Sequence, residues 1–295
     1  MDYRDEVFLS VAENLSFSKA AEELFISQPA VTKHIRELEN KLDIALFERK
    51  GNKIYLTEAG KITYDFFTRI KQQYRELEFE LGRLSDAFIG SLRIGCSSTI
   101  SQYYIPKVLA AFYKRYPKIE LFVFNGNSFE MEQKLLVNEI DLALVENESS
   151  RSDIRYIDFG NDEIVAVTGA QSVYAKHKSI SIGDLSQVPV VLREKGSGTL
   201  EVIQKVFARQ NISFDALNIF IHLGSTEAIK NFLTDFQGVA LISERAIEKE
   251  LLLKSLVRLN LPKLIFPRKL RIGLRHGHEV ANAKLFVDFL LHYNF

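Results

Sequence analysis

The chain has 295 residues, and its 38 Lys and Arg balance 38 Asp and Glu to a formal charge of zero. That length exceeds what one hydrophobic core usually organises, so two or three domains are expected. Neutrality excludes a wholesale basic coat for DNA or membrane but leaves a focused basic face open, and 46% hydrophobic with 26% charged residues argues against disorder.

Cys96 is the only cysteine, which excludes an intramolecular disulfide and a multi-cysteine zinc site. The opening Met1-Asp2-Tyr3-Arg4-Asp5-Glu6 is acidic and lacks an apolar signal core. No uninterrupted apolar run approaches the roughly 18 residues that a membrane helix needs. The expected setting is cytoplasmic, with no membrane partner. Neither a short tandem repeat nor a low-complexity segment is present.

Residues 1–56 are dense in helical periodicity. Phe17, Ala20, Ala21 and Leu24 fall on one face of a short helix, for which Ser18 is the expected N-cap. Phe25-Ile26 makes a tight connection. Ser27 then caps a second helix with Pro29 in its first turn, where a missing N–H costs nothing, and Val31, Ile35, Leu38 and Leu42 are its expected buried face. Two short helices joined this tightly form a helix-turn-helix, whose second helix can lie in a major groove. The opposite face carries Gln28, Ala30, Thr32, Lys33 and Arg36. Gln can pair bidentately with adenine, Lys can reach guanine acceptors or a phosphate, and Pro29, Ala30 and the Thr32 methyl can touch thymine methyls. On spacing alone, a solvated face of an ordinary helical bundle remains the alternative. Phe47-Glu48-Arg49 and Ile54-Tyr55-Leu56 then flank Lys50-Gly51-Asn52-Lys53, two short strands around a basic turn. Beside a recognition helix such a hairpin is a wing, placed to grip phosphates.

Residues 57–88 read as one helix capped by Thr57. Its apolar residues Ile62, Phe66, Ile70, Tyr74, Leu77, Leu81, Leu84 and Phe88 recur every three or four positions, close to a coiled-coil rhythm. At about 1.5 Å per residue the stripe runs roughly 45 Å, more than one small domain covers, so a second copy of the chain is the expected partner.

From Gly90 the pattern changes to short apolar strands alternating with helices, with strands expected at Leu92–Cys96, Ile119–Phe124 and Asp141–Val145. A second set begins near Asn161, with strands near Ile164–Val167, Val188–Leu192, Phe220–Leu223 and Val239–Ile242; Lys269–Leu274 then reads as a strand and Ala283–Leu291 as a closing helix. The βαβαβ order of the first set implies a parallel sheet with helices on its faces. Ser97-Ser98-Thr99, Asn127-Ser128, Gly196-Ser197-Gly198-Thr199 and Ser225-Thr226 each follow a strand and open a helix. Ligands sit off the carboxyl ends of parallel strands, and helix N-termini suit anions, so four such turns converging would hold a small anion. Each taken singly is also an ordinary N-cap.

Several motifs invite over-reading. Cys96 reads as a small core residue with no second thiol to pair with. His276-Gly277-His278 reads as a surface turn, without metal-ligand spacing. Ser197 lies between glycines but does not fit the G-x-S-x-G elbow, and no His and Asp partners can be placed. Neither catalysis nor a cofactor is expected.

Phe17-Ser18-Lys19-Ala20-Ala21, Ser27-Gln28-Pro29-Ala30-Val31-Thr32, Ile35-Arg36-Glu37-Leu38-Glu39, Leu46-Phe47-Glu48-Arg49 and Leu56-Thr57-Glu58-Ala59-Gly60 together resemble the signature of LysR-type transcriptional regulators. The resemblance extends along the whole chain. It implies an α/β multidomain protein with an N-terminal winged helix-turn-helix (1–56), a linker helix (57–89) that pairs two winged motifs, and a C-terminal effector-binding domain (90–295). It implies that this last domain is bilobed, like periplasmic solute-binding proteins, with one lobe about 90–160 and 267–295, the other about 161–266, and ligands in the cleft between them. The base-reading positions carry over onto Gln28, Pro29, Ala30, Thr32 and Lys33 and the wing onto Arg49 and Lys53, with Ser27 and Arg36 completing the DNA-contact set. The effector set is Ser98, Thr99, Asn127, Ser197, Gly198, Thr199 and Ser225. Implied partners are dyad-symmetric double-stranded DNA, a small-molecule effector, a second copy as dimer or dimer of dimers, and RNA polymerase.

Gly95-Cys96-Ser97-Ser98-Thr99-Ile100, Gly126-Asn127-Ser128, Asp141-Leu142-Ala143-Leu144-Val145-Glu146 and Arg193-Glu194-Lys195-Gly196-Ser197-Gly198-Thr199 are similar to the branch that regulates sulfur assimilation and carbon fixation. This implies a small anionic effector, a sulfur oxyanion or a carboxylate. Glu146 complicates it, because a carboxylate in the cleft repels an anion unless it points away or pairs with Arg193. An amphoteric or cationic effector would suit Glu146 better.

Overall fold

The computed structural model describes residues 2–51, 53–84, 88–177, 179–262, 264–277 and 280–293. Asn52 of the wing turn, residues 85–87 of the expected long helix, His278 of the histidine pair and the side chains of Leu81 and Leu84 lie outside the described residues. The chain divides into two compact units, Met1–Ala87 and Phe88–Phe295.

In the first unit three helices, α1 (Tyr3–Asn14), α2 (Phe17–Glu23) and α3 (Gln28–Leu42), precede a two-stranded hairpin, β1 (Phe47–Lys50) and β2 (Lys53–Leu56), and the long helix α4 (Glu58–Leu84). Asp2 and Asp5 form a capping box at the start of α1, which buries Val7, Phe8, Leu9 and Val11. Ser16, not Ser18, caps α2. Leu15 closes α1 in a left-handed conformation, and the extended Ser16 that follows accepts from the Lys19 N–H at 3.3 Å, leaving Ser18 inside the first turn. Ser27 caps α3 as expected, accepting from the Ala30 N–H at 3.4 Å. Val31, Ile35 and Leu38 are buried, but Leu42 is exposed. It lies in the last turn before Asp43 takes a positive φ of 50°, and Leu46 fills the core instead. The helix stripe at Ile62, Phe66, Tyr74 and Leu77 is exposed along α4.

The second unit is an α/β fold around a sheet that has nine strands among the described residues, in the order β4-β3-β5-β11-β6-β9-β7-β8, with β10 (Leu256–Leu259) also paired to β6. β3 (Gly90–Ser97), β4 (Ile119–Gly126) and β5 (Leu142–Val145) are parallel and form one lobe with α5 (Ile105–Arg115), α6 (Ser128–Leu136) and α11 (Ala281–Leu291). β7 (Val190–Arg193) runs parallel to β8 (Ile219–Leu223) and to β9 (Val239–Ser243), and these form the other lobe with α8 (Gly198–Arg209) and α9 (Thr226–Thr234). Separate cores cover both faces of each parallel set, one around Leu92, Ile94 and Phe112, another around Val190, Leu192 and Phe207.

The two lobes share one sheet because β6 (Ile154–Gly169) and β11 (Phe266–Arg275) cross from one to the other as an antiparallel pair, Ile154 opposite Arg275 and Ile164 opposite Phe266. The second set expected from near Asn161 therefore does not open on a new strand: Ile154–Gly169 is a single strand that passes from one lobe to the other. Its middle is polar and reads as a loop in isolation, but Asp162 is satisfied by Arg268 of the partner strand at 2.8 Å. No helix of the described residues is long and apolar enough to cross a membrane.

Candidate DNA-contact and effector sites

The start of α3 presents Ser27, Gln28, Pro29, Lys33 and Arg36 to solvent, with Ala30 and Thr32 half-buried between them. Gln28 is positioned by its neighbour one turn on. Its Nε2 donates to Thr32 Oγ1 at 3.0 Å, while the Thr32 hydroxyl donates to the Gln28 carbonyl at 3.1 Å. Lys33 lies 3.9 Å from Glu37, a loose and exposed pair. In the hairpin, Arg49 faces Ile54 and Lys50 faces Lys53 across the ladder. Lys50 is spent on Glu48 at 2.8 Å. Arg49 and Lys53 carry no ion pair among the described residues. Sequence reasoning gave no role to Glu39, whose carboxylate accepts from the Leu46 and Phe47 N–H groups at 2.7 and 3.2 Å and so fixes the hairpin against α3. Thr57 accepts from the Gly60 N–H at 2.9 Å and donates to the Ala45 carbonyl at 2.8 Å, tying the start of α4 to the same hairpin.

The strand-to-helix turns of the second unit do not act alike. Asn127, Ser197 and Ser225 are N-caps, accepting from Glu130, Leu200 and Ala228 N–H groups at 2.9, 3.1 and 3.1 Å. Ser97-Ser98-Thr99 does not open a regular helix. Ile100–Tyr104 is a π-helical segment that precedes α5. Ser98 is buried and donates to the Gly126 carbonyl at 3.1 Å. Thr99 and Ser128 are fully buried, and their hydroxyls have no hydrogen-bond partner among the described residues. The Thr199 hydroxyl accepts from Arg268 Nη1 at 2.8 Å. Gly198 is pressed against the other lobe, where a Cβ would lie 2.7 Å from the Asn147 backbone nitrogen.

Glu146 pairs with Arg268, not Arg193. Its Oε1 lies 3.4 Å from Arg268 Nη1, and its other oxygen accepts a short bond from Ser97 Oγ. Burial alone would lower the Arg268 guanidinium, yet the Asp162 and Glu146 charges hold it above its ordinary value. Cys96 is fully buried. Burial, reinforced by the Glu146 charge, pushes its thiol well above the ordinary range, as for a core residue. His276 and Gly277 lie in an exposed turn, with Gly277 at a φ of 70°.

The lobes meet directly. The Phe129 N–H donates to the Gly196 carbonyl at 3.1 Å, Tyr103 Oη to Glu227 at 2.6 Å, and the Ser149 N–H and hydroxyl to Glu201 at 2.7 and 2.6 Å. Arg193, at the end of β7, reaches Ser98 Oγ at 3.3 Å and Thr226 Oγ1 at 3.4 Å, so one buried cation touches the turn after a strand in each lobe. The sequence showed Arg193 and Thr226 as part of their motifs but gave no sign that they converge, because the partners stand far apart in the chain. Arg268 was missed altogether for the same reason.

A winged helix-turn-helix followed by a two-lobed α/β unit defines a transcriptional regulator with its own small-molecule sensor, not an enzyme. Residues 5–61 match the family model described as bacterial regulatory helix-turn-helix protein, lysR family, and residues 85–294 match the LysR substrate binding domain. The probable RuBisCO transcriptional regulator of Thalassiosira pseudonana is 34% identical over 271 residues, 90% of this chain and 88% of that one. The HTH-type transcriptional regulator CysL of Bacillus subtilis (strain 168) is 30% identical over 286 residues, 97% of this chain and 95% of that one. Among solved structures, the Synechocystis PCC6803 CcmR regulatory domain in complex with 2-PG is 27% identical, with a TM-score of 0.61, and covers 68% of this chain and 96% of that one. The chain belongs to the LysR family: it is a sequence-specific DNA-binding transcriptional regulator whose activity a small-molecule effector modulates.

Proposed function

We propose that the chain works in the cytoplasm as a self-associating regulator whose effector is a small anion held between the two lobes of residues 88–295. The observation that carries this reading is the meeting of Ser98, Arg193 and Thr226, hydroxyls from both lobes around a buried cation. That is the chemistry of an oxyanion or carboxylate site. The anion bound by the CcmR regulatory domain, 2-PG, supports the same class. Glu146 does not oppose it, since Arg268 holds that carboxylate. The DNA contacts assigned to Ser27, Gln28, Pro29, Ala30, Thr32, Lys33 and Arg36 on α3, and to Arg49 and Lys53 on the hairpin, belong to the same proposal. So do division into a DNA-binding part, a linker helix and an effector-binding part, pairing along α4 into a dimer or dimer of dimers, and contact with RNA polymerase from the DNA-bound state.

An effector shifts DNA binding only by its differential affinity for two arrangements of the chain, typically about 1–3 kcal/mol, or roughly five- to 150-fold. The test is fluorescence anisotropy of the full-length protein on its own upstream intergenic fragment, with 2-PG, inorganic sulfate and a neutral amine titrated in turn. The anions are expected to move the DNA affinity by a factor in that range and the amine to leave it unchanged. The reverse pattern would sink the anion reading.

A further inference from the structure

We propose that Arg193 is the cation an anionic effector engages, and that Glu194 is the chain's own stand-in for the effector's anionic group, displaced on binding. This rests on the interlobe reading above and goes further by naming the recognition pair.

Arg193 is among the largest fully buried side chains in the molecule, 1% exposed. A guanidinium at that depth requires a counter-charge. Glu194 supplies it with a two-point fork, Oε2 2.8 Å from Nε and Oε1 2.9 Å from Nη2. The remaining bonds of the Arg193 guanidinium are long, 3.3–3.4 Å to Ser98 Oγ, Thr226 Oγ1 and the Gly224 carbonyl. Successive side chains of a strand point to opposite faces. Arg193 and Glu194 can pair only because β7 stops at Arg193 and the chain turns there. The two partners are also unequal: the Glu194 side chain is 25% exposed and can withdraw to water, whereas that of Arg193 is 1% exposed and cannot.

Two further hydroxyls belong to the segments that meet at this pair. Thr99 Oγ1 and Ser128 Oγ are buried and have no hydrogen-bond partner among the described residues. Thr99 follows Ser98, which bonds Arg193, and Ser128 follows closely on Gly126, whose carbonyl receives Ser98. A carboxylate on Glu194 satisfies the guanidinium fork and leaves these hydroxyls idle. A free carboxylate, phosphate or sulfur oxyanion in the same place satisfies the fork, and its remaining oxygens can take the hydroxyls. The site therefore carries a competitor that sets an affinity threshold. Effector must outbid a tethered carboxylate, and any effector that does so gains the hydroxyl bonds Glu194 does not make.

The test uses the full chain, calorimetric titration and thermal melts with 2-PG, inorganic phosphate and inorganic sulfate as probes. Glu194→Gln keeps the side-chain size and removes the competing charge; its affinity for at least one probe should rise about tenfold or more. Arg193→Gln should lose that probe. Thr99→Val removes a hydroxyl without a partner, so the melt of the free protein should hold while anion affinity falls severalfold, which keeps the proposal testable even if Arg193→Gln does not fold. If the wild type binds and Glu194→Gln and Thr99→Val bind identically to it, the Arg193–Glu194 assignment is wrong and the interlobe reading stands. If neither the wild type nor Glu194→Gln responds to any probe, both fall together.

Discussion

Gln28 donates to Thr32 Oγ1 at 3.0 Å along the exposed face of α3, so the amide that would read a base is held in one orientation before DNA arrives. Holding it lowers the entropy lost on contact. Gln28→Ala should therefore relax base preference at one position, at about 1–3 kcal/mol of discrimination, measured by competition among operator variants. Equal weakening on every sequence would remove Gln28 from base reading. Arg49 differs in kind, because it stands on the hairpin without an ion pair, unlike Lys50, which Glu48 neutralises. A phosphate contact shows itself in salt dependence. Arg49→Ala should weaken binding on all DNA and reduce the slope of log affinity against log salt by about one per site, whereas Lys50→Ala should change it less. An unchanged Arg49 slope takes the residue off the backbone.

At the scale of elements, the lobes press close where the first turn of α8 meets the chain just after β5. A Cβ on Gly198 would meet the Asn147 nitrogen at 2.7 Å and the Glu146 carbonyl carbon at 2.8 Å, and backbone atoms cannot rotate away. Gly198→Ala should force the lobes apart locally, lowering stability by about 1–3 kcal/mol in chemical denaturation and weakening effector binding; a variant as stable as wild type would mean that the two elements slide freely. What the sequence revealed follows the range of the interactions. The helix-turn-helix was legible because Val31, Ile35 and Leu38 repeat within one helix, and the N-caps Ser27, Asn127, Ser197 and Ser225 bond to groups three residues away. Strand β6 was legible only in its apolar end. Its polar middle is held by charges such as Arg268, 106 residues from Asp162 in the chain, and no local pattern encodes that pairing. The Ser18 cap failed more narrowly: periodicity placed the helix but not the left-handed Leu15 that fixes where it starts. Arg193 at the junction of two lobes needed the fold before it could mean anything.

For the whole molecule the deciding quantity is how many phosphates one assembly grips. A single chain is neutral overall, and its described wing leaves only Arg49 and Lys53 without an ion pair, so in the proposed contact one copy would bind weakly and with strong salt dependence. In the proposed pairing, self-association would double the phosphate contacts and place two recognition helices on one dyad-symmetric site, the second contact then forming at high effective concentration. The surface proposed for it is on α4, where Ile62, Phe66 and Leu77 are 54%, 55% and 53% exposed on a helix of 27 residues, spaced so that they share one stripe. A paired Phe66→Asp and Leu77→Asp variant puts two carboxylates on that stripe without touching Val31, Ile35 or the hairpin. Its sedimentation coefficient should fall to that of a monomer at micromolar concentration, while circular dichroism stays that of the wild type. Affinity for a full dyad-symmetric site should drop by a hundredfold or more, on the order of the gain that linking two binding events gives. Affinity for an isolated half-site should stay within about twofold. A variant that remains associated would move the interface off α4, and one that dissociates yet binds the full site as tightly as before would show that a single winged motif suffices for recognition.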